Sequence, residues 1–287
     1  MKIPPRWLLA FALLLATLLS PSAALAHADP WGDLHPTVEV VDGNFAIHFN
    51  SSIRGSRDNY TGRRPVLVKI YSPEGKLLSP RHPIPGKRSW MAGGPVGLYG
   101  KHLVFGDTVM VFDPTRTGKP DYLLRDPDGE VTRHRLPWPK EVSLHHFKDV
   151  TVNSEGIAIL GKEDPEILKF YWFEHGANRP PEIVTIGATD CIYTFPVASN
   201  IAYAGGRFWV AFMRDAAGKT KSELVMWSWK PGDAKARAEV LDSPAHWNCH
   251  LSMAAIGDWL CLAYHCATRE SYYGTDARIF TVFKKAE

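Results

Sequence analysis

His250 and His265 flank Gly257-Asp258 in the stretch Asn248-Cys-His-Leu-Ser-Met-Ala-Ala-Ile-Gly-Asp-Trp-Leu-Cys-Leu-Ala-Tyr-His265. If Gly257 and Asp258 close a two-residue hairpin, Ile256 faces Trp259 and His250 faces His265. Directly opposed strand residues have Cβ atoms about 4.5–5.5 Å apart. A facing imidazole pair can share a proton, hold a water or ion, or ligate a metal. The alternative is two histidines satisfied by ordinary hydrogen bonds. A central metal ion is the one cofactor this pair suggests, with His250 and His265 as ligands, although a catalytic zinc usually takes three protein ligands. The same count sets Cys249 opposite Cys266, the candidate disulfide, since cross-strand neighbours lie close to the geometry a bridge needs. Cys191 and Cys261 complete the four cysteines. No CxxC occurs, so neither a zinc ribbon nor a thioredoxin-type site is indicated.

Equivalent counting elsewhere places His35 opposite Asn50 across Asp42-Gly43, and Asp149 opposite Lys162 across Glu155-Gly156. Asp190 falls just before a further apolar strand. His35, Asp149, Asp190 and His250 are therefore the candidate catalytic residues, because a ring of imidazoles and carboxylates can do acid–base work. Such polar rings also occur in proteins that only bind. The loop 51–64 carries Arg54, Arg57, Arg63 and Arg64, and 267–276 carries Arg269, Glu270, Tyr272 and Tyr273. Arginine reads planar carboxylates and phosphates through paired hydrogen bonds, and tyrosines at a rim stack on sugar rings. Asn50, Arg54, Arg57, His265, Arg269 and Tyr272 are the candidate ligand contacts, and a carbohydrate or other acidic ligand is the expected partner. The bland alternative is a solvated loop.

Five similar phrases must position these residues, each a strand, a glycine turn and an apolar-aromatic strand. They span Thr37–His48, Pro95–Phe105, Val150–Leu160, Asn200–Val210 and Ser252–Leu262, and their turn glycines are separated by 57, 56, 50 and 51 positions. A period of roughly 40–50 residues in strand-turn-strand units suggests propeller blades. Third strands are expected at 66–71, 109–112, 167–172, 224–229 and 278–283, and more polar fourth strands at 76–78, 130–135, 182–186 and 236–241. The expectation is an all-β, five-bladed β-propeller of mostly four-stranded antiparallel blades. The fifth blade either borrows its outer strand from near Asp29–Leu34 or has three strands. Evenly spaced short strands also suit a sandwich.

Lys2 and Arg6, the apolar run Trp7–Leu19 and Ala24-Leu25-Ala26 match an export signal. Residues 1–26 are expected to be removed, leaving one domain over 27–287 in the periplasm or outside the cell. The apolar run is shorter than the roughly 20 residues of a spanning helix, and no later stretch qualifies. Removal of Lys2 and Arg6 lowers the formal charge from +3 to +1, and no concentrated basic face is evident. Nucleic acid is therefore not an expected partner, and a monomer is expected. A cut before His27 would also pair a free amino group with an imidazole, a copper-chelating arrangement with His35 nearby.

The Asn248–His265 phrase resembles the last blade of five-bladed arabinanase- and xylosidase-type glycosidases, and the repeat pattern resembles the wider sialidase-like superfamily. The resemblance implies a histidine beside the central channel, near a metal ion, as His250 would be. Ala28-Asp29-Pro30 is similar to the phrase that holds the catalytic base in those enzymes, although His35-Pro36 occupies the matching slot. Their general acid is a glutamate where this chain has Asp190-Cys191. The Ser-x-Asp-x-Gly-x-x-Trp box is absent. A glycosidase needs two carboxylates about 5–9.5 Å apart, for which Asp149 and Asp190 are the available pair. A lyase for acidic polysaccharides would use His35 or His250 as base, with Arg57 neutralising the uronate. A non-catalytic propeller binding glycan or protein is the alternative.

Overall fold

The computed structural model describes residues 25–28, 33–51, 64–89, 101–105, 108–112, 121–142, 146–162, 167–176, 178–188, 200–215, 222–242, 247–267 and 278–287. They form twenty strands in five four-stranded antiparallel sheets. After β1 (Leu25–Ala28), the first sheet runs β2 (Asp33–Val41), β3 (Asn44–Ser51), β4 (Arg64–Tyr71) and β5 (Leu77–Ser89). The second is β6 (Lys101–Phe105), β7 (Thr108–Phe112), β8 (Asp121–Arg125) and β9 (Val131–Arg135). The third is β10 (His146–Val152), β11 (Gly156–Lys162), β12 (Ile167–Glu174) and β13 (Glu182–Ala188). The fourth is β14 (Ile201–Ala204), β15 (Arg207–Asp215), β16 (Ser222–Trp229) and β17 (Arg237–Asp242). The fifth combines β18 (Trp247–Ile256), β19 (Trp259–Ala267) and β20 (Arg278–Lys285) with β1.

The fifth sheet thus takes its outer strand from Leu25–Ala28, earlier in the chain than the expected Asp29–Leu34. Leu25 pairs with Phe283 and Ala28 with Phe280, so this strand straddles the expected cleavage point. Among the described residues no helix is long and apolar enough to cross a membrane.

The second sheet is offset by one strand from its sequence-based reading. Lys101–Phe105 is its first strand, and Thr108–Phe112 is the hairpin partner, not the third strand. Asp121–Arg125 is the third. Phe105 pairs with Thr108, so the sequence between the paired strands is Gly106-Asp107. Gly106 is then 50 positions before Gly156, matching the 50 and 51 that follow.

Period-two alternation explains the packing, because a strand buried on both faces needs apolar residues at every position. All seven residues of β11 are buried. Ile157 and Ile159 join Val150, Tyr171 and Phe173 in a cluster that also takes Tyr122 and Leu124 of the second sheet. Ala158 and Leu160 point the other way, into a cluster with Ile201, Phe208 and Val210 of the fourth sheet. β15 divides likewise: Trp209, Ala211 and Met213 meet Leu251, Leu260 and Leu262 of the fifth. Cys261 and Ala263 then meet Val38, Phe45 and Ile47 of the first. The sheets therefore pack face to face in the order two, three, four, five, one. Burying each large apolar side chain contributes about 1.5–3 kcal/mol. Outer strands are wetter, and β9 is exposed at four of its five positions, which suits sheet edges that must not pair with other chains.

The tight turns are set by residues that tolerate positive φ. Asp42 and Gly43 both adopt it, at 49° and 71°, as a two-residue hairpin of this twist requires. Gly156 serves close approach instead: a Cβ there would press on Phe173 O and lie 2.6 Å from the Trp172 ring.

Candidate functional site

The expected site lies where the first strands of the sheets begin. At the fifth sheet, Ile256 pairs with Trp259 and His250 with His265, as the hairpin count predicts. Beyond that pair the register shifts. Cys266 faces Asn248, and Cys249 occupies the irregularity between Asn248 and His250. The expected Cys249–Cys266 opposition is corrected accordingly.

Irregularities of the same kind interrupt β2 and β10. In β2 the shift falls between Leu34 and Thr37, so Leu34, not His35, faces Asn50. In β10 it falls between Phe147 and Asp149 and shifts only the residues before Asp149, so Lys162 faces His146, while Asp149 faces Leu160 in unbroken register with the turn. The turn alone sets the register at Asp149. Val152 pairs with Ile157, so four residues, Asn153 to Gly156, separate the innermost β10–β11 pair where two were expected. The Asn153 side chain holds this turn, its Oδ1 accepting from Glu155 N at 3.0 Å and Gly156 N at 2.9 Å, as asparagine does in Asx turns. Three of the five first strands thus carry a bulge near their start, a device that re-aims side chains and is common beside active sites.

Asp149 has the best-defined environment of the candidates. Only 3% of it is exposed. Its Oδ1 accepts from Val150 N at 2.8 Å, and its Oδ2 accepts from Asn200 N at 2.6 Å and Ile201 N at 3.0 Å. The carboxylate therefore fastens the start of β10 to the start of β14 across the seam between sheets three and four. Charge-assisted bonds of this type are short and strong. A second polar fastener joins sheets five and one, where Val38 N donates to the fully buried Ser252 Oγ at 3.0 Å.

Lys162 and Asn200 enter the sequence reading without an expectation of burial. Lys162 and Asn200 are 3% and 4% exposed. Lys162 stands two residues beyond Leu160, on the β11 face that packs toward the fourth sheet. A buried lysine at a strand end has no pattern signal in a sequence; only the seam reveals it.

Asp190, Arg54, Arg57, Arg269 and Tyr272 lie outside the described residues, so the structure does not place them beside His250. His27 stands within β1, opposite Thr281. Two imidazoles are an incomplete ligand set for a catalytic zinc. Among the described residues no group of three His, Cys, Asp or Glu side chains is placed to hold a metal ion.

No family model and no curated protein matches the chain. Solved structures to which the chain is similar include the catalytic domain of a GH62 alpha-L-arabinofuranosidase from Coprinopsis cinerea. It has 12% identity and a TM-score of 0.43, over 88% of this chain and 90% of that one. A GH43 alpha-L-arabinofuranosidase from Clostridium thermocellum has 10% identity and a TM-score of 0.42, over 85% and 87%. A Trypanosoma rangeli sialidase, solved with the inhibitor DANA, has 9% identity and a TM-score of 0.43, over 88% of this chain and 55% of that one.

Proposed function

We propose that this chain is an exported five-bladed β-propeller that engages a carbohydrate at the end where its first strands begin, as a glycoside hydrolase or acidic-polysaccharide lyase. The observation that carries the proposal is the His250–His265 pairing at the start of the fifth sheet, inside the one phrase that resembles the last blade of arabinanase- and xylosidase-type enzymes. His250 is assigned the central position, with His265 beside it. Arg54, Arg57, Arg269, Tyr272 and Asn50 are assigned to the rim.

Asp149 takes a different role from the acid or base first expected. A carboxylate whose two oxygens accept three backbone N–H bonds is occupied in positioning β14. The proton-transfer work therefore falls to His250 and His35, with Asp190 as the remaining carboxylate, an arrangement closer to a lyase than to a two-carboxylate hydrolase. The same engagement of Asp149 favours a second reading, a propeller that binds glycan or protein without turnover. The Cys249–Cys266 disulfide remains part of the proposal as a bridge across the bulge.

Incubation with a panel of neutral and acidic polysaccharides separates these readings. New reducing ends without unsaturated product indicate a hydrolase, and unsaturated uronate product indicates a lyase. Saturable binding without either supports the second reading. No binding to any member rejects the carbohydrate assignment.

A further inference from the structure

The same seam between sheets three and four opens, at its other end, into a cleft of about 720 Å³. Its first wall is the Ser154–Glu155 turn, and its second is the Pro231–Gly232 turn of the fourth sheet. Between them lie Glu174, His175, Arg179 and Glu182 from the ends and connection of β12 and β13.

Both walls are fixed before any ligand arrives. His175 N donates to Glu155 O at 2.8 Å, and the His175 ring Nε2 lies 3.1 Å from Asn153 O. On the other side Asp233 N donates to Lys230 O at 3.0 Å, and Arg207 pairs with Asp233 at 2.6 Å. Such preorganisation lowers the ordering cost of binding.

The chemistry of the lining narrows the occupant. Arg179 is ion-paired with Glu174, so the cleft presents a donor and an acceptor side by side. Glu155 and Glu182 add carboxylate acceptors, and Ser154 adds a hydroxyl. Three carboxylates against one guanidinium repel an acidic ligand. Prolines 180, 181 and 231 supply flat apolar faces. A molecule with many hydroxyl donors over small apolar faces uses all of these groups, whereas a cationic peptide would use only the carboxylates and would meet Arg179 with like charge.

We propose that this cleft is a second carbohydrate subsite, specific for neutral oligosaccharide and separate from the His250 end. The inference rests on the carbohydrate reading above. It implies that one chain can hold a polysaccharide at two points, which raises avidity without new contacts at the first.

The test is calorimetric titration of the full chain with xylohexaose, cellohexaose and arabinohexaose, and separately with pentalysine. The variants are Glu155→Ala/Glu182→Ala, whose exposed side chains can be removed with the fold checked by thermal melting, and His250→Ala. Two classes of oligosaccharide site are expected. The double substitution should weaken one class at least about tenfold, the loss expected when hydrogen bonds to charged groups are removed, and leave the other intact. An isotherm changed by His250→Ala but not by the double substitution overturns the cleft proposal and leaves the first site standing. Pentalysine binding that the double substitution removes, with no oligosaccharide at the cleft, also overturns it. Absence of all binding by these neutral oligosaccharides overturns the cleft proposal and leaves an acidic ligand at the His250 end standing.

Discussion

Asp149 Oδ2 accepts the backbone N–H of Asn200 at 2.6 Å, across 51 positions of sequence, and so ties the first strands of two neighbouring sheets together. With Ile201 N and Val150 N on the same carboxylate, this residue acts as a joint. Replacing it with alanine would leave three buried donors unpaired. Asp149→Ala is expected to cost about 3–5 kcal/mol of stability, and Asp149→Asn, which keeps one acceptor oxygen, less. Denaturant unfolding measures both, and a loss below about 1 kcal/mol for the alanine variant would contradict the joint.

The seam between sheets five and one is a smaller version of that arrangement. Ser252→Ala removes the acceptor of Val38 N in a fully buried position. A loss of about 1–3 kcal/mol is expected in equilibrium unfolding, the cost of an orphaned buried donor. An exposed serine would give nearly none.

Gly156→Ala should be disproportionately harmful for a single methyl. The new Cβ would meet Phe173 O and the Trp172 ring, and backbone cannot yield as a flexible side chain can. Overpacking of this kind costs about 1–3 kcal/mol. Because Trp172 borders the cleft, its fluorescence should shift in the same variant.

Burial pushes the Cys261 thiol well above its ordinary range. The unfolded chain therefore loses this proton first as pH rises. The stabilisation is fully present below the unfolded thiol's range and falls as pH climbs through and above it, by at most about 1.4 kcal/mol per pH unit. Unfolding of the native chain and Cys261→Ala between neutral and alkaline pH should differ by that slope. Parallel curves would contradict it.

Legibility in the sequence followed the range of the interactions. Hairpins such as Ile256–Trp259 depend on neighbours, and their alternation and turn residues are visible along the chain. The second sheet was misread because Val109–Phe112 is as apolar as a third strand should be, while Asp121–Arg125, flanked by aspartate and proline, resembles a loop. Register failed at His35 because a bulge adds a residue without altering composition, and at Asp149 because the turn before Ile157 is two residues longer than expected. The four-residue turn held by Asn153 likewise leaves no glycine-pair signal. Asp149 was recognisable as a special carboxylate, but its partners Asn200 and Ile201 belong to the next sheet, and no local pattern announces them.

Carbohydrate binding by the intact chain and by His250→Ala, over a panel of neutral and acidic oligosaccharides, tests the central assignment most directly. The account predicts saturable binding that His250→Ala weakens at least about tenfold with the melting transition unchanged. Equal binding by both proteins would contradict it.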